Sequence, residues 1–165
     1  MKLDLRQLSR AAVLAALAIA VQLANLPQLV TGPAVNAVLY VASLFVSPLA
    51  GAFIGVVTPW TALLLGIMKL APAVPVIMAG NVALCVTAGL LDKRSRHLGI
   101  GVAAVVKFGV MTAGMRYLVS AGTKIPAAAY ASLTATQLVT ALLGGLVALA
   151  VLEALGRMRR GGTAS

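Results

Sequence analysis

Long apolar runs, separated by short polar or helix-breaking segments, make up almost the whole chain. Taken in order they predict membrane spans over about 9–25, 35–47, 49–67, 73–91, 98–120 and 129–155. Runs of this kind suit transmembrane helices, which need roughly 20 apolar residues to cross the hydrocarbon. The second run is short, and by length alone it is also compatible with a re-entrant segment. Ahead of the first, Met1 to Arg10 sets Leu3, Leu5 and Leu8 among Lys2, Arg6 and Arg10, a basic amphipathic lead-in expected at the membrane surface. The cluster Asp92-Lys93-Arg94-Ser95-Arg96-His97 is expected to be a loop, and Arg157 to Ser165 a basic, Gly-rich tail.

Three interruptions fall inside apolar sequence: Val30-Thr31-Gly32-Pro33-Ala34-Val35-Asn36, Thr58-Pro59-Trp60 and Ala79-Gly80-Asn81. Backbone groups freed by proline, and amides such as Asn36 and Asn81, find no water in hydrocarbon and are tolerated where they line a protein cavity. These breaks are therefore expected to form the walls and lid of a small-molecule pocket. The pattern as a whole predicts an all-α integral membrane fold, one domain over 1–165, with six transmembrane helices.

Composition supports the membrane reading: 61% of the 165 residues are hydrophobic and 10% charged, and the mean hydropathy is +1.05. A soluble domain of this size has no need of such a composition. The apolar run after the charged N-terminus is long and has no small-residue cleavage pattern, so a removable signal peptide is not expected. Thirteen Lys and Arg stand against three acids. In a soluble protein that excess would suggest nucleic acid; here position matters more than the total. Lys2, Arg6, Arg10, Lys93, Arg94, Arg96, Arg157, Arg159 and Arg160 flank ends that six alternating spans bring to one side, whereas the opposite loops hold Lys69 and Lys124. The positive-inside rule then places both termini and the 92–97 loop in the cytoplasm of a multi-pass cell-membrane protein.

Two cations remain, Lys107 near the middle of the fifth run and Arg116 in its outer half. All three acids (Asp4, Asp92, Glu153) lie at the other ends of the spans. A charge at the bilayer centre costs about 2.5–3.5 kcal/mol on insertion scales, and such residues generally face a cavity. One reading is a cationic site that captures an anion, most simply a carboxylate. The alternative is that Arg116 snorkels to the interface while Lys107 bonds carbonyls or Tyr and Thr hydroxyls. Nine residues at 3.6 per turn put the two on opposite faces, so they are not expected to be joint ligands of one small group. Asn36 and Asn81 either bridge helices or bind ligand through their amides. Tyr130, Thr134, Gln137, Ala141, Gly144 and Ala148 form a stripe on the sixth run, polar outside and small inside. It suggests a pocket wall outside and close helix contact inside; helix packing throughout is the alternative.

Small residues four apart, such as Ala12/Ala16, Ala16/Ala20 and Gly51/Gly55, let helix backbones approach closely. With the uncharged turn at Pro48–Gly51, they suggest a smooth face for another membrane protein. Several chemistries lack their residues. There is no Ser-His or Cys-His pair, no paired carboxylates, no phosphate-cradling loop and no metal cluster, since the chain has a single Cys85 and a single His97. Neither catalysis nor a cofactor is expected, and uphill transport would draw its energy from a partner.

The alanine-rich first helix, Thr31-Gly32-Pro33-x-Val35-Asn36, Gly51-x-x-x-Gly55-x-x-Thr58-Pro59 and Gly80-Asn81 together resemble the substrate-binding S components of energy-coupling factor (ECF) transporters, over nearly the whole chain. The resemblance implies a vitamin or related micronutrient bound in an outward-facing pocket, with Leu29–Ala34 as the lid. It also implies assembly with a membrane T component and two ABC-type ATPases, and a T-component contact through Ala12, Ala16 and Ala20. The histidine-bearing N-terminus of nickel and cobalt members is absent. The candidate ligand residues are Thr31, Asn36, Asn81, Lys107, Arg116, Tyr117 and Gln137, and the candidate interface is Ala12, Ala16, Ala20, Gly51 and Gly55. An anionic, pantothenate-, lipoate- or nicotinate-like substrate fits better than folate or flavin, with Trp60, Tyr40, Tyr117 or Tyr130 as a single aromatic platform. A self-contained channel or secondary carrier, and a structural subunit of a larger complex, are the competing readings; the lack of membrane acids counts against a carrier.

Overall fold

The structure, a computed structural model, describes residues 5–161, with side chains through 158. Lys2, Leu3, Asp4, the side chains of Arg159 and Arg160, and the end of the tail lie outside the described residues. Helix α1 runs over Leu5–Leu23, α2 over Gln28–Val41, α3 over Pro48–Leu64, α4 over Val74–Leu91, α5 over Arg96–Ser120, α6 over Ala127–Leu133 and α7 over Ala135–Gly161. One π-helical turn, Ala42–Val46, extends α2, and a 3-10 turn, Ala71–Ala73, leads into α4. Five of the described helical stretches are long and apolar enough to cross a membrane, and α3 is a shorter apolar helix.

Several sequence expectations change. Leu5 to Arg10 are the first turns of α1 rather than a separate surface segment, and the Arg10 guanidinium lies 5.0 Å above the Phe45 ring. The break expected at Thr31-Gly32-Pro33 is helical. Pro27 takes the extended N-cap position (φ −52°, ψ 147°), and α2 begins one residue later. Pro33 lies inside that helix, and the N–H it lacks is one that would have bonded the Leu29 carbonyl. The segment Leu29–Ala34, expected to be a lid loop, is therefore a turn and a half of helix. Gly32 serves packing instead: a Cβ there would sit 2.8 Å from Thr140 Cγ2 on α7.

The interruption expected at Thr58-Pro59 inside the third run is helical as well, and α3 continues through it to Leu64. Proline at 59 removes the N–H that would have bonded the carbonyl of residue 55. Asn81 supplies the substitute, its Nδ2 donating to the Gly55 oxygen at 3.0 Å. The last run is split at Thr134 (φ −123°, ψ −94°), which separates α6 from α7.

Helix α2 sits at the centre, packed against α1, α3, α4 and α7, and residues 36–43 are buried without a gap. The other close pairs are α3 with α4, α4 with α5, and α5 with α7. The core around Leu39, Tyr40, Ile54, Leu84, Ala104 and Ala141 is held by dense packing of small and branched side chains. Ser47 and Ser95, both extended, cap α3 and α5 through their hydroxyls and make the turns at one end of the bundle tight. The longer connections 24–27, 65–73 and 121–126 lie together at the other end. Asn25 (φ 48°) and Gly66 (φ 70°) there adopt the left-handed conformation that terminates a helix.

Candidate functional site

Those longer connections ring the mouth of a cavity of about 510 Å³ that reaches into the bundle. Its walls come from the ends of α1 to α4, the middle of α5, α6 and the start of α7. All three interruptions contribute: Thr31, Gly32 and Asn36 from α2, Thr58 and Pro59 from α3, and Asn81 from α4. The volume is in the range of small-molecule sites, and the wall is mostly apolar with a few placed polar groups, as such sites usually are.

Lys107 lines the cavity and is only 3% exposed. Its Nζ donates to Asn36 Oδ1 at 2.7 Å and to Asn81 Oδ1 at 2.8 Å. An ammonium can only donate, so both amides must turn their oxygens towards it and their nitrogens away. Asn36 Nδ2 then donates to Thr140 Oγ1 at 3.3 Å, and that hydroxyl donates to the Gln137 carbonyl at 3.2 Å. Asn81 Nδ2 is held by the carbonyl that Pro59 freed. Each asparagine is thus fixed at both ends, and the lysine head is locked in place by four helices.

The two amide oxygens solvate Lys107 but do not neutralise it. The cavity wall contains no acid. Of the described acids, Asp92 pairs with Arg96 at 2.7 Å and Glu153 is exposed near the end of α7. A buried cation without a counter-charge carries a large desolvation penalty that neutral hydrogen bonds offset only in part. The third ammonium proton has no partner among the described residues, and the site is therefore chemically suited to an anion.

Of the residues expected at the site, Thr31, Asn36, Asn81, Lys107 and Gln137 line the cavity. Thr31 also anchors the start of α2, its hydroxyl donating to the Leu26 carbonyl at 2.9 Å. Arg116 and Tyr117 do not line it. Both are exposed on the outside of α5, and Arg116 lies half a turn from Lys107, as their nine-residue spacing requires. The polar half of the stripe, which runs from α6 into α7, divides too: Gln137 lines the cavity, whereas the Thr134 hydroxyl donates back to the Tyr130 carbonyl at 2.7 Å. Its small half packs on α2. A Cβ on Gly144 would meet the Pro33 carbonyl oxygen and Asn36 Cβ at 2.6 and 2.7 Å, and Ala141 and Ala148 are fully buried.

Gly51 and Gly55 are also corrected. They are buried rather than displayed, because close helix contact inside the bundle uses their missing side chains. A Cβ on Gly55 would lie 2.8 Å from Asn81 Cβ, and one on Gly51 would lie 3.0 Å from Cys85 Sγ. Ala12, Ala16 and Ala20, in contrast, are exposed along one face of α1. The sequence reading missed Gln28, Ser132 and Thr140. Thr140 had a signal, since three residues after Gln137 it shares that face of the helix.

A model of the family described as "ECF transporter, substrate-specific component" matches residues 6–156. The chain belongs to that family. It is accordingly a multi-pass membrane protein that binds substrate as the specificity component of a transporter, a non-catalytic role. No curated protein and no solved structure matches it. In this ECF substrate-specific component, the cavity floored by Lys107 is the candidate substrate site.

Proposed function

We propose that this ECF component captures an anionic, carboxylate-bearing vitamin or related micronutrient, with Lys107 as the anchor for the negative charge. One observation carries the reading: a buried ammonium, held by two neutral amides, lines a cavity whose wall holds no acid. Asn36 and Asn81 position the ammonium and offer their own dipoles, and Thr31 and Gln137 bind the remainder of the substrate. Counting α3, whose 17 residues reach the lower limit for a span, the bundle crosses the cell membrane six times. Both termini and the 92–97 turn are then cytoplasmic, and the cavity mouth faces outward.

The wall has no carboxylate of the kind that proton- and sodium-coupled carriers use, which favours an external energy source over a self-contained carrier. That source is a membrane T component with two ABC-type ATPases, and the exposed Ala12, Ala16 and Ala20 form the surface on which the T component packs. Co-purification in mild detergent tests the assembly. A T component and two ATPases should accompany the wild-type chain and be lost when Ala16→Trp blocks the α1 face, with ligand binding kept. Uptake into liposomes by the chain alone would refute the proposal.

A further inference from the structure

The chain has seven aromatic residues, and none lines the cavity. Tyr40 is buried in the core, its hydroxyl donating to the Ile100 carbonyl at 3.1 Å. Trp60, Phe53 and Tyr117 are exposed on the outside of the bundle. Phe45 lies at the opposite end, beneath Arg10. The middle of the cavity is instead walled by Val35, Pro59, Ala62, Ile77 and Leu133. Planar rings in binding sites draw on stacking and edge-to-face contacts with other rings, and this wall offers neither. Branched aliphatic and proline surfaces pack against saturated carbon. Polar groups return towards the mouth, where Gln22, Gln28, Lys69 and Ser132 line the wall. The Gln22 Oε1 atom is buried and accepts no hydrogen bond from the described protein, an arrangement native structures rarely leave unexplained. It is an acceptor suited to a hydroxyl or amide N–H on a ligand.

Resting on the anion-anchor reading above, we infer that the substrate is a saturated, open-chain carboxylate whose far end carries hydroxyl or amide donors. Its carboxylate meets Lys107, its aliphatic body lies along the middle wall, and its donors reach Gln22. This excludes the aromatic acids that the anionic floor alone would accept. The test is calorimetry with the purified chain and three probes: pantothenate, octanoate and nicotinate. Pantothenate should bind at least tenfold more tightly than nicotinate. Gln22→Leu should weaken pantothenate at least fivefold and leave octanoate unchanged, which a general loss of folding would not do. Mass spectrometry of the molecule that co-purifies provides an independent readout. An aromatic acid there, or nicotinate binding as tightly as pantothenate, overturns the inference and leaves Lys107 as the anion anchor. A co-purifying molecule with no anionic group overturns both.

Discussion

Tyr40, Ser43 and Cys85, near the tight-turn end of the bundle, each direct a polar hydrogen at a main-chain carbonyl: Ile100, Cys85 and Leu39 respectively, at 3.1, 2.6 and 3.8 Å. Glycines 51, 89 and 145 let neighbouring side chains close over these bonds. At the other end Asn36, Asn81 and Lys107 bond to one another and border open space. In a low-dielectric bundle a polar group tied to backbone is already satisfied, and it holds helices together. A cation tied only to neutral amides keeps its charge, and it can recruit a ligand. The difference separates structure from site more sharply than burial does, since both sets are buried.

Four substitutions probe the contrast, in decreasing order of expected effect. Asn81→Asp would place a carboxylate where Lys107 now meets an amide oxygen, giving the cation a permanent internal partner. Attraction between unit charges 4 Å apart amounts to about 4 kcal/mol at an effective dielectric of ~20. Losing that attraction for the ligand corresponds to a fall in affinity of roughly 100- to 1,000-fold by titration calorimetry. Full affinity in Asn81→Asp would mean the ligand does not use the charge.

Asn81→Ala acts on both sides of the contrast, because that residue also caps the carbonyl that Pro59 frees. A buried acceptor left unsatisfied costs about 1–3 kcal/mol. The midpoint of thermal unfolding in detergent should fall, with affinity reduced about tenfold. Gly145→Val tests packing alone: its side chain would collide with Ile100 on α5, away from the cavity, and overpacking typically costs about 1–3 kcal/mol. Stability should drop, while the surviving folded protein binds with only a few-fold change. Arg116→Gln is the smallest perturbation, expected to alter affinity less than twofold, since that side chain points away from the cavity.

Much of this division can be read from the chain, and the parts that cannot have physical causes. Lys107, Asn36 and Asn81 stood out because charge and amides in apolar sequence need a reason, and periodicity already separated Lys107 from Arg116. The proline and glycine breaks were informative about position but misleading about conformation. Pro33 was read as part of a loop and Pro59 as an interruption of its span, yet both lie inside helices, and at Pro59 a side chain from another helix supplies the lost bond. Such a repair links residues 26 apart in sequence, and no local pattern encodes it. Gly51 and Gly55 looked like an outer docking face because small-residue spacing does not say whether the partner helix belongs to the same chain. Which aromatic residues reach the cavity was equally invisible until the helices were packed.

The most direct measurement of the central claim is mass spectrometry under non-denaturing conditions on the wild-type chain and on Lys107→Met, purified in parallel with helix content monitored by circular dichroism. Methionine keeps most of the unbranched stem and removes the ammonium, with its charge and its hydrogen bonds to Asn36 and Asn81. The account predicts a small anionic molecule bound one-to-one to the wild type and absent from Lys107→Met, with the two circular dichroism spectra superimposable. The same molecule retained by the variant at the same stoichiometry would contradict it.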